Sequence, residues 1–156
     1  MRINSKPFLI FFVTVLMLSF FSCQTKKIVS YEKYKNLDSS RKKEIDENVD
    51  DVLKHIGKKE NEIILLFQYN CFLEKKIEIN NGSKLEFPKV LNENHYGQKF
   101  NHFRKDIGKI KIELSDGKFF VIEQKKEFDY IGICYYEKED KLYVEYFDYP
   151  RILITE

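Results

Sequence analysis

Tryptophan and alanine are absent from the 156 residues, and glycine and proline are scarce, at six and three. The sequence has no phosphate-cradling glycine loop, no nucleophile elbow and no zinc-type cysteine pair, so it offers none of the common catalytic signatures. It has no block of like charges either, which removes nucleic acid from the partners it implies. No apolar run reaches the roughly twenty residues needed to span a ~30 Å hydrocarbon layer. What is present is aromatic. Fourteen Phe and ten Tyr, within 43% hydrophobic residues, exclude a disordered chain although 33% of residues are charged. The length suits one domain.

Residues 1–23 read MRINSKPFLIFFVTVLMLSFFSC. Arg2 and Lys6 form a short positive flank, and Pro7 to Phe21 is an apolar run of fifteen residues, the length of a signal h-region. The run ends in Ser22-Cys23, a small residue directly before a cysteine. This ending resembles the lipobox of bacterial lipoproteins, and the Lys/Asn/Ile-rich style of the chain resembles that of small lipoproteins of Bacteroidota. The resemblance implies cleavage after residue 22, a diacylated Cys23 and an envelope location on the periplasmic or outer surface of a bacterial membrane. It covers the leader only. Removing residues 1–22 takes away Arg2 and Lys6, so 27 basic against 25 acidic residues become 25 against 25. The expected organisation is a signal peptide over 1–22, a lipid-anchored tether over 23–37 and a single helix-plus-β domain over 38–156. The tether has neither helical nor strand period and would reach about 45 Å if extended.

With Cys23 acylated, Cys71 and Cys134 remain. In an oxidising compartment they can close a disulfide, or they can stay as two buried thiols among apolar strand residues; sequence leaves both open.

Asp38, Ser39 or Ser40 can cap a helix whose apolar stripe is Ile45, Val49, Val52, Leu53 and Ile56, with Gly57 as its stop. Period two follows. Glu62–Tyr69 reads as a strand covered on both faces. Asn80-Asn81-Gly82 predicts a three-residue turn with Gly82 left-handed and Ile77 opposite Leu85. Asp116-Gly117 predicts a two-residue turn pairing Leu114 with Phe119 and Ile112 with Val121. A four-residue loop at Glu137–Asp140 pairs Tyr135 with Leu142, Ile133 with Val144 and Ile131 with Tyr146. About seven strands then form an antiparallel β-sandwich carrying an N-terminal amphipathic helix, or else a single curved sheet with the helix on one face. The second face of the last hairpin, Tyr130, Cys134, Tyr143 and Phe147, is also apolar and requires a cover.

Two places attract a functional reading. Leu91–Gly108 reads as a long irregular stretch holding His95 and His102 with Glu93, Arg104 and Asp106 nearby. Their spacing matches no metal-ligand pattern, so no metal or cofactor is assigned, and no residue is assigned as catalytic. A small hydrolase or metal-dependent enzyme using this loop is the alternative function. The main expectation is a lipid-anchored binding module meeting an envelope protein or a glycan through Tyr136, Tyr143 and Tyr149, with His95 and His102 as further binding candidates. Tyrosine offers a flat apolar ring and a hydroxyl, which suits sugars and protein interfaces alike.

Overall fold

The computed structural model describes residues 25–80, 82–90 and 97–151. The expected signal peptide over 1–22, Cys23, Asn81, Glu93 and His95 lie outside these residues. Among the described residues there are nine strands rather than about seven. They are β1 (Lys26–Glu32), β2 (Glu62–Gln68), β3 (Lys76–Ile79), β4 (Ser83–Glu86), β5 (Gln98–Arg104), β6 (Lys109–Leu114), β7 (Phe119–Glu123), β8 (Tyr130–Tyr136) and β9 (Lys141–Phe147). They form a five-stranded sheet in the order β1-β9-β8-β2-β5 and a four-stranded sheet in the order β4-β3-β6-β7. The larger sheet is not purely antiparallel, because β1 runs parallel to β9 and β2 parallel to β8.

The two additional strands come from segments without apolar alternation. Residues 26–32 of the expected tether are β1, an edge strand whose Val29 and Tyr31 stay exposed. Seven main-chain pairs with β9 hold it there, and Tyr31 stacks on Tyr146 with centroids 5.2 Å apart. The stretch expected to be irregular contains β5, which pairs with β2 along its length. Its residues QKFNHFR are mostly half-buried, so polar side chains are tolerated at this edge.

The one α-helix among the described residues, α1 (Ser39–Ile56), begins and ends on the expected signals. The Asp38 carboxylate accepts the Arg41 N–H at 2.9 Å and the Ser40 hydroxyl at 2.7 Å. Gly57, at φ 66°, donates its N–H to the Leu53 carbonyl, a left-handed stop that favours glycine. Val52 and Ile56 are buried, while Leu53, at the margin of the stripe, is exposed.

Turn chemistry decides the hairpin registers. Ile77 faces Leu85 as expected, but the left-handed residue of the turn is Asn80, at φ 49°, and not Gly82. The β6–β7 hairpin is one residue away from the expected pairing: Ile112 faces Phe120, not Val121. Its loop is Ser115-Asp116-Gly117, closed by Leu114 N–H to Lys118 O at 2.8 Å, with Gly117 left-handed at φ 85°. This three-residue turn turns Phe120 and Ile122 inward and leaves Phe119 and Val121 exposed. The β8–β9 register is as expected.

The two sheets enclose one core, in which Ile63, Leu65 and Phe67 of β2 meet Ile77, Ile110, Ile112 and Phe120 of the smaller sheet. A second, smaller cluster lies on the outer face of the larger sheet. There α1 presses Val52 and Ile56 onto Ile64, Leu66, Tyr130, Phe147 and Tyr149. The cover required by the last hairpin is therefore supplied by the helix, but only over half of it. Among the described residues no helix is long and apolar enough to cross a membrane.

Candidate functional site

The half-cover follows from connectivity. β1 and β9 run parallel and β8 runs against β9, so β1 finishes at the end of the sheet where β8 and β2 start. The helix connecting β1 to β2 leaves and returns at that end, over Tyr130 and Phe147. Towards the opposite end no helix among the described residues covers the outer face, and a groove of about 630 Å³ opens there. Gly132 contributes floor without a side chain. Gln68 and Cys134 stand on one side, Ser30 and Glu145 on the other, and Tyr136 and Tyr143 at the end away from the helix.

The acidic members of the lining are already paired. Glu145 forms an ion pair with Arg151, whose guanidinium lies 4.3 Å from the Phe147 ring centroid and also 3.5 Å from Glu32. Glu139 is 2.5 Å from Lys141, and the Glu139 hydrogen bond raises the Lys141 ammonium above the usual lysine value. A pocket with two tyrosines, an amide, a hydroxyl and two neutralised carboxylates offers aromatic faces and hydrogen-bond acceptors with no excess charge. It suits a neutral, hydroxyl-rich ligand better than an ion.

Cys71 and Cys134 are bridged, with Cα atoms 5.1 Å apart. The bridge ties the 3₁₀ turn Tyr69–Cys71 to β8 at the groove wall. Beyond the groove, the β8–β9 turn carries a polar knot. Asp140, at φ 49°, accepts through Oδ1 from Lys118 Nζ at 2.6 Å, Tyr135 OH at 2.9 Å and Thr25 Oγ1 at 2.9 Å. Its carbonyl accepts the Lys26 N–H at 3.0 Å. The Lys118 hydrogen bond above all, then those of Tyr135 and Thr25, holds the Asp140 carboxyl below the usual aspartate value; Lys118 is raised in return.

Of the tyrosines expected to share one surface, Tyr136 and Tyr143 do so. Tyr149 does not: it is 3% exposed, under the helix, against Phe147 and the edge of Tyr34, with its hydroxyl on Glu32. The chain turns back beneath α1 after β9, which buries that ring. His102 sits on β5, half-buried, with Nδ1 2.9 Å from Glu62 Oε2. The Glu62 carboxyl is held low first by the Lys59 N–H and then by His102. Arg104 and Asp106 pair with each other at 2.6 Å. Among the described residues no three His, Cys, Asp or Glu side chains converge to hold a metal. Gln68, Ser30, Glu145 and Arg151 carry no motif or spacing that marks them in the sequence. Gly132, an isolated glycine inside an apolar strand, is the signal that could have marked the groove.

The described residues thus define a mainly β structure of two sheets and one α-helix, with a tyrosine-rimmed groove on the half-sheet that this helix does not cover. No family model, curated protein or solved structure matches the chain.

Proposed function

We propose that the protein is a lipid-anchored extracytoplasmic binding module of the bacterial envelope, with a β-sandwich body, and that it holds a neutral glycan segment in the Tyr136/Tyr143 groove. The observation that carries the reading is the groove itself, which pairs the exposed Tyr136 ring and the half-buried Tyr143 ring with hydrogen-bonding groups whose charges are already compensated. Sugar rings present apolar C–H faces to aromatics and hydroxyls to amides and carboxylates, so the lining is chemically complementary to them. The Cys71–Cys134 bridge supports the location, because structural disulfides persist in oxidising compartments. The Ser22-Cys23 leader supports the anchor, since each buried lipid CH₂ contributes roughly 0.8 kcal/mol and two or more chains hold a protein on a bilayer.

The test is a titration of the body with soluble envelope glycan fragments, read by tyrosine fluorescence and by amide shifts of β8 and β9. Saturable changes at Tyr136 and Tyr143, abolished in Tyr143→Ala, are expected. Unchanged spectra with every fragment would remove the glycan from the proposal.

A further inference from the structure

The groove and the chain's exit towards Cys23 share one end of the larger sheet, the end where β1 and β9 begin and β8 and β2 finish. We infer that this end of the body rests on the phospholipid headgroup layer, with the Tyr136 rim of the groove facing the bilayer. The inference depends on the lipid anchor proposed above.

Tether length sets the geometry. β1 begins at Lys26, three residues beyond Cys23. Three residues span at most about 11 Å when fully extended. No slack is available from the body's side, since Thr25 and Lys26 are both fastened to Asp140, at the tip of the β8–β9 turn. That turn is therefore confined to within about a nanometre of an acylated Cys23. A body held so closely cannot stand clear of the headgroups.

The surface at this end suits that placement. Tyr136 is 44% exposed on its rim, and aromatic rings with a polar tip favour the membrane–water boundary. Glu137 and Glu139 are each paired with a lysine, Lys75 and Lys141, at 3.0 and 2.5 Å. Exposed Lys26 and Lys138 have no carboxylate partner among the described residues, and are placed to meet anionic headgroups. At the opposite end lies the 124–129 loop with exposed Lys126. A groove opening beside the headgroups would take ligands that lie at or reach the membrane surface.

The experiment uses the full chain, processed and acylated in its host, in nanodiscs of phosphatidylethanolamine and phosphatidylglycerol doped with a headgroup-chelated gadolinium lipid. Amide signals of Lys26 and Lys138 should be lost, while those of Lys126 and Glu127 keep their intensity. Equal broadening at both ends, or loss confined to the 124–129 loop, overturns the orientation and leaves the anchor standing. Mass spectrometry of the same sample reads Cys23. An unmodified thiol, with no protein retained on the discs, overturns orientation and anchor together.

Discussion

Tyr136 and Tyr143 meet edge to face, with ring centroids 5.4 Å apart and planes at 86°, diagonally across the β8–β9 hairpin. Edge-to-face pairs contribute about 0.5–1.5 kcal/mol beyond their buried area. The two rings hold each other upright at the groove's end without a covering element, so they differ in kind from Tyr130 and Tyr149 beneath the helix.

That contrast is measurable. Tyr136→Ala should lower the unfolding free energy by no more than about 1 kcal/mol, whereas Ile56→Ala beneath the helix should lower it by about 2–5 kcal/mol. Urea unfolding with an unchanged slope is the check. A large loss in Tyr136→Ala would mean that its ring is part of the core.

Replacing both Cys71 and Cys134 by serine removes a bridge across a sequence separation of 63. In the chain-entropy view this lowers stability by about 4 kcal/mol. The same loss should follow from reductant acting on the wild-type protein, and reductant should leave the double variant unaffected.

Phe119 and Phe120 test the β6–β7 register. Phe120 is 4% exposed and Phe119 59%. Phe120→Ala should cost about 3–5 kcal/mol and Phe119→Ala under about 1 kcal/mol. The two-residue turn suggested by Asp116-Gly117 predicts the reverse order.

Asp140 ties acid and alkaline behaviour together. Its carboxyl is depressed on folding, mainly by Lys118, so it adds stability above the usual aspartate value of 3.8 and loses it as pH falls through its folded value. Asp38, lowered first by the Arg41 N–H, acts in the same direction. Lys118 is raised, so it adds stability below the usual lysine value of 10.5 and loses it as pH climbs through its folded value. Stability should therefore be level across neutral pH and fall at both extremes. Asp140→Asn keeps a residue that tolerates φ 49° and removes the charge. Denaturant midpoints from acid to alkaline buffers should show both limbs flattened in the variant.

Much of the fold was legible because period and punctuation agreed. Asp38 and Gly57 bracket α1, the unbroken run from Ile63 to Phe67 marks a central strand, and the Tyr135/Leu142 register follows from its loop length. What was hidden had weak burial. β1 and β5 are edge strands whose main-chain pairing, not apolar alternation, places them, and neither parallel pairing leaves a turn in the sequence to read. At Asp116-Gly117 the dipeptide suggests a two-residue turn, whereas the chain uses three residues, Ser115 to Gly117. For the site, Tyr136 and Tyr143 were visible as aromatics. Their separation from Tyr149 depends on which half of a sheet one helix covers, a tertiary outcome that no local pattern contains.

The way β1 enters the larger sheet also governs how the protein would bear mechanical force. A pull on the chain ahead of Thr25 acts along the axis of β1, against seven residue pairs shared with a parallel neighbour. All of those pairs are strained at once, in shear, instead of peeling one by one as at a hairpin end. The clasp of Thr25 and Lys26 on Asp140 should yield first, and the rest of the ladder should give way together, so the body would resist a pull from its N-terminal side better than an equally long antiparallel edge pulled from its open end.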